Sequence, residues 1–124
     1  MSALRKALHE AASSPEALPE AAGWLRQYVF GAGSAVFDGH FPEHPVLPAV
    51  VQVLMAQMTL EEELGEPISL CAIVQAKFTA PLGPDAVIEL RVQQGRHAGL
   101  WDCALRCAGQ PASHFQIETQ VERV

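Results

Sequence analysis

Positive charge is scarce in this chain. Eight lysines and arginines stand against fourteen acidic residues, for a net charge of −6. No Lys/Arg cluster appears anywhere, so the chain lacks the electrostatic footprint of a nucleic-acid binder. Long apolar runs are missing too, which excludes a membrane-spanning helix. The opening residues, Met1 to Leu8, contain no apolar core of a secretory signal, and the expected location is the cytoplasm. Three cysteines are too few for a disulfide framework and fit reduced thiols. Cys103 and Cys107 would share a strand face but stand too far apart along it to bridge. His9, His97 and His114 belong to no constellation, and no Cys, Asp or Glu recurs at ligand spacing, so no metal site is expected; His44 beside Pro45 does not make one. Aromatics make up 6% of the chain, and Trp24 and Trp101 suit core or interface positions better than substrate stacking.

What is present bounds the fold. A chain of 124 residues that is 49% hydrophobic is ordered and makes one domain, residues 1–124. Leu4, Ala7, Leu8 and Ala11 recur at helical spacing, and Ser14-Pro15-Glu16 has the cap, first-turn proline and acid of a second short helix. Residues 1–23 are therefore expected to form an atypical helical N-terminal segment. Strand patterns follow at 24–30 and 35–37. The principal helix spans 48–64 and is apolar nearly all round in its first three turns (Val50, Val51, Val53, Leu54, Met55, Met58), a pattern of burial rather than of a surface helix. Gly65 is its natural stop. Strands are expected near 69–79, 86–94, 100–108 and 113–122, with turns at 83–85, 96–99 and 109–111. One buried helix followed by several strands implies an α+β domain with a sheet wrapped around the helix. Gln52, set in the apolar run, requires a hydrogen-bond partner from the backbone or a second subunit.

The densest chemistry lies in Gly39-His40-Phe41-Pro42-Glu43-His44-Pro45-Val46-Leu47-Pro48-Ala49-Val50. Three prolines fix φ and stiffen the loop, so that His40 is aimed. An imidazole works as acid or base around neutrality. The helix that starts behind Pro48 presents amides without intrahelical partners, and these can polarise a carbonyl. A base beside such a donor is the minimum apparatus for removing a proton α to a carbonyl.

This segment resembles the 3-hydroxyacyl-(acyl carrier protein) dehydratases, a hot-dog-fold family whose hallmark reads G-H-F-P-x-x-P-V-x-P-G-V. Lys77-Phe78-Thr79-Ala80-Pro81-Leu82-Gly83-Pro84-Asp85 is similar to a second family block, K-F-x-x-P-x-x-P-G-D, without the glycine before Asp85. The resemblance implies a hot-dog fold, an antiparallel sheet wrapped around one long central helix. It implies dehydration or hydration of 3-hydroxyacyl thioesters carried on acyl carrier protein or coenzyme A, with no cofactor. In that reading His40 is the base and the Val46 carbonyl orients its ring. The Ala49 amide, where the family has glycine, holds the enolate oxygen. Phe41, Val50, Leu54 and Gln57 would contact substrate. The family's catalytic carboxylate falls on Leu54 when counted without gaps, or on Val53 with a one-residue slide, and neither is an acid. Asp38, Glu43 and Glu61 are the replacement candidates nearest in sequence or helix face. An acidic carrier would also need a basic patch on this acidic chain, and Lys77, Arg91, Arg96 and Arg106 are its available cations. The resemblance further implies a homodimer or higher oligomer of dimers, with a heterodimer as the alternative assembly. Two other functions stay open: a non-catalytic acyl-binding or partner subunit of an active dehydratase, and a hot-dog thioesterase.

Overall fold

Alternating burial builds the centre of the sheet. In the strand Ile88–Gln94 the residues Ile88, Leu90 and Val92 are buried, and Cys103, Leu105, Phe115 and Ile117 continue the same face on the next two strands. The structure is a computed structural model that describes residues 2–38 and 43–122. Its strands are β1 (Glu16–Ala17), β2 (Gly23–Tyr28), β3 (Ile68–Phe78), β4 (Ile88–Gln94), β5 (Leu100–Cys107) and β6 (Gln110–Val121). All pair antiparallel in one sheet of order β1-β2-β4-β5-β6-β3. Helix α1 (Ala3–Ala11) precedes them, and helix α2 (Ala49–Leu64) lies on the apolar face with Val51, Met55, Ala56 and Leu60 buried. The result is the α+β hot-dog arrangement, with the sheet wrapped around one long helix. Trp24 and Trp101 pack together at the sheet's end with ring centroids 5.9 Å apart. No helix among the described residues is long and apolar enough to cross a membrane.

The principal helix begins one residue later than its proline suggests. Pro48 is the N-cap, with extended ψ of 151°, and Gly65 ends the helix at φ 70°. A left-handed residue there costs glycine nothing.

Four local expectations are corrected. The second short helix is instead β1, paired with β2 through Glu16↔Leu25 and Ala17↔Trp24. Pro19 would break a helix there, whereas Leu18 N–H finds the Gly23 carbonyl at 3.0 Å. Residues Ala35–Phe37 form one 3-10 turn rather than a strand, with Ser34 accepting from Val36 N–H. Val36 and Phe37 are buried there, so their strand propensity yields to packing. The β5–β6 hairpin turns at Ala108 and Gly109, at φ 53° and 76°, and Pro111 lies inside β6 opposite Arg106, beside a register shift. A proline is tolerated at such an irregularity. Finally, α2 is not buried all round, since Val50 is 72% exposed. The sheet covers only part of the helix circumference and leaves one face open near β3.

Candidate functional site

The open face of α2 is the floor of an apolar cavity of about 420 Å³, to which Ala49, Val50, Val53, Leu54 and Gln57 contribute. These positions follow the helical repeat, so they form one stripe roughly 12 Å long at ~1.5 Å per residue. The facing wall comes from β3, by Leu70, Ile73, Ala76 and Phe78. Phe78 stacks on the fully buried Phe115, with ring centroids 5.9 Å apart, which anchors that wall to the core. Leu4 of α1 completes the lining.

Four of the residues singled out from the sequence therefore meet in one cavity: Ala49, Val50, Leu54 and Gln57. Val46 lies in the segment before α2 that carries no regular secondary structure and is not among the residues lining the wall. His40 and Phe41 lie outside the described residues. The Ala49 and Val50 N–H groups have no acceptor among the described residues, while Val51 and Gln52 N–H both reach the Pro48 carbonyl at 3.1 Å. Two amides without an acceptor among the described residues thus stand at the exposed start of the helix, at one end of the cavity.

No carboxylate lines this cavity among the described residues. Asp38 and Glu43 are exposed and outside it. Glu61 is already engaged, for Oε1 accepts from Arg5 at 3.1 Å and Oε2 from the Ile68 N–H at 3.2 Å. Leu54 occupies the place where the ungapped motif count puts an acid. Gln57 is the polar exception in the lining, and its amide donates to the Ile68 carbonyl at 3.0 Å.

The two motif blocks are joined directly. Leu47 N–H donates to the Leu82 carbonyl at 2.7 Å, and Asp85 N–H donates to the Phe30 carbonyl at 2.8 Å. Asp85 itself takes φ 64°, a left-handed conformation that aspartate tolerates better than most residues. The turn is thereby made without the glycine of the family block. Gln52 finds its partners within the chain: its amide donates to the Leu47 carbonyl at 3.1 Å and its oxygen accepts from Ser113 at 2.6 Å. Of the candidate cations, Arg91 pairs with Glu20 and Arg106 donates to the Gly109 carbonyl. Among the described residues no three or more His, Cys, Asp or Glu side chains stand close enough to hold a metal ion.

Two contributions escaped sequence reasoning. Leu4 could be placed on the apolar stripe of α1 but not against a cavity formed by elements far along the chain. Arg26 looks like an ordinary strand cation. Yet register sets it on the inner face between Trp24 and Tyr28, where it is 6% exposed. It donates to the Ser13 carbonyl, Thr59 and Glu62, and its guanidinium sits 5.7 Å from the Tyr28 ring centroid. The alternation that puts Arg26 inside was the available signal.

Comparison with known proteins agrees with this architecture. Residues 21–116 match the profile of a family described as ApeI-like, ApeI dehydratase. The chain is 32% identical over 83 residues to the 3-hydroxyacyl-(acyl-carrier-protein) dehydratase FabZ of Sulfurimonas denitrificans, covering 56% of each. It is 39% identical over 75 residues to FabZ of Gluconobacter oxydans, covering 52% of this chain and 44% of that one. The chain spans about half the length of the curated relatives it matches. Among solved structures, a chain of the dehydratase heterocomplex ApeI:P from Xenorhabdus doucetiae superposes with a TM-score of 0.76. That match has 25% identity and covers 87% of this chain and 95% of that one.

Proposed function

The chain belongs to the ApeI-like dehydratase family, and we propose that it acts in dehydration or hydration of 3-hydroxyacyl thioesters borne on acyl carrier protein or coenzyme A. The observation that carries this reading is the apolar cavity beginning at two helix amides that have no acceptor among the described residues. A thioester carbonyl at the Ala49 N–H would be polarised by that donor and by the helix end. The acyl tail would then run along Val50, Val53 and Leu54. His40 removes the α-proton, the C–H electron pair moves toward the carbonyl, and collapse of the enolate breaks the bond to the β-hydroxyl, which must take up a proton to depart as water. The Val46 carbonyl orients His40, and Phe41 packs beside the substrate.

The hydroxyl needs a proton, and among the described residues the cavity lining offers no acid for it. This favours a second arrangement, in which an associated subunit supplies Asp or Glu at the helix position that matches Leu54, facing His40. The relative from Xenorhabdus doucetiae is described as a dehydratase heterocomplex, which supports such pairing here. The eleven-residue edge strand β3, paired only with β6, is the natural seam for edge-to-edge dimerisation, either with a second copy or with that partner. Alone, the chain would then be an acyl-binding subunit with slow turnover, since a missing general acid costs about 10²–10⁴ in rate. Thioesterase action is less well supported, because its water also needs a carboxylate near the helix.

The test is hydration of a short trans-2-enoyl thioester, followed by loss of enoyl absorbance, for wild type and His40→Ala. Each is assayed alone and mixed with a dehydratase paralogue that carries the carboxylate but lacks its own histidine. Turnover that depends on His40 supports the reading. Turnover that appears only on mixing supports the two-subunit form. Activity indifferent to His40 in both settings would end the proposal.

A further inference from the structure

Helix α1 supplies the cavity with a fixed end. Gln57 donates to the Ile68 carbonyl and Glu61 accepts from the Ile68 N–H, so the cavity's far end is where α2 runs beside the start of β3. Arg5 pairs with Glu61 at 3.1 Å, and Glu61 lies one turn beyond Gln57 on α2. Leu4, the preceding residue and part of the lining, therefore stands at the end away from the Ala49 amide. Two further contacts keep α1 from swinging aside, and a cap secures its first turn. Leu8 is 1% exposed in the core, Ser2 caps the helix by accepting from Arg5 N–H at 3.1 Å, and Val29 N–H binds the Ala11 carbonyl at 3.3 Å.

We infer that Leu4, held by the Arg5–Glu61 ion pair, is the end-stop that sets the longest acyl chain the cavity accepts. This rests on the acyl-binding part of the function proposed above and not on the identity of the base or the acid. A thioester anchored at the helix start must lay its tail along the α2 stripe toward Gln57 and Leu70. Beyond them the tail meets the Leu4 isobutyl group. Within the cavity each added methylene tightens binding by about fourfold; past Leu4 the added carbon has no apolar surface to cover and the gain stops.

Binding of saturated acyl-coenzyme A thioesters of four to twelve carbons, measured by calorimetry on the full chain, reads this directly. Wild type should show affinity rising with length to a plateau. Leu4→Ala should move the plateau by roughly two carbons toward longer chains, because it vacates about that much side chain. Leu4→Phe should move it toward shorter ones, and Arg5→Ala should blur it by loosening α1. Circular dichroism verifies that each variant is folded. An unchanged plateau in both Leu4 variants overturns the end-stop, as does a wild type that binds no acyl chain at all. A plateau that shifts in a protein without dehydratase turnover upholds the end-stop and counts only against the catalytic reading.

Discussion

The Ser113 hydroxyl donates to the Gln52 side-chain oxygen at 2.6 Å, with both residues buried, and this bond ties β6 to the central helix. The other end of the Gln52 amide holds the Leu47 carbonyl at 3.1 Å, just ahead of the helix start. One glutamine therefore positions the motif loop against the sheet.

A double-mutant cycle should expose that coupling. Ser113→Ala leaves the Gln52 oxygen without its donor and is expected to cost about 1–3 kcal/mol. Gln52→Leu strands both Ser113 and the Leu47 carbonyl and should cost more. The double variant should fall well short of the sum, with an interaction energy of about 0.5–3 kcal/mol by urea denaturation. Strict additivity would mean the bond contributes nothing to stability.

Tyr28 is the chain's single tyrosine, so phenolate absorbance reports it directly. Burial foremost raises its pKa, outweighing the opposing hydrogen bond with Thr59 and the nearby Arg26 charge. A raised folded value means the neutral phenol stabilises the fold fully below the unfolded pKa of ~10. That contribution is lost as pH rises through the folded value. Native protein should titrate above urea-unfolded protein, and Tyr28→Phe should flatten the stability profile in that alkaline window. Coincident native and unfolded titrations would contradict the buried placement.

The three thiols should separate by reactivity. Cys71 is exposed and Cys103 is buried. Desolvation first, and then the Asp102 charge, push the Cys103 thiol well above its ordinary pKa. Because the thiolate is the reactive species, a colorimetric disulfide reagent should label Cys71 in the native protein and Cys103 only after unfolding. Peptide mapping of the labelled protein decides it. Native labelling of Cys103 at a rate near that of Cys71 would refute the assignment.

Leu54→Glu should give the lone chain an acid in its own cavity. The apolar surroundings would raise that carboxyl's pKa and keep it protonated near neutrality, as a proton donor requires. Hydration of the enoyl thioester is expected to rise by about 10²-fold, the lower end for general acid catalysis, and to vanish again in Leu54→Glu/His40→Ala. A folded Leu54→Glu protein that binds acyl thioester yet gains no rate would show that the missing acid is not the deficit.

The chain order already carried the fold's outline. The apolar run behind Pro48, the stop at Gly65 and the period-two strands are consequences of local periodicity and backbone chemistry, and each is legible without coordinates. The loop motif's resemblance to the dehydratases likewise pointed to Ala49, Val50, Leu54 and Gln57, and helical spacing puts them on one stripe. What local pattern left open were the facts that depend on partners distant in sequence. Strand propensity at 35–37 lost to packing of Val36 and Phe37. The uncovered side of α2 arises because β3 leaves a gap beside it. Glu61 lost its candidacy as an acid because Arg5 and the Ile68 amide, far from it along the chain, already hold both of its oxygens. Leu4 became part of the cavity for the same reason: α1 folds back across 56 residues of chain to reach the far end of α2. A sequence prescribes which faces are apolar; which groups meet across them is settled by register, closure and packing in three dimensions.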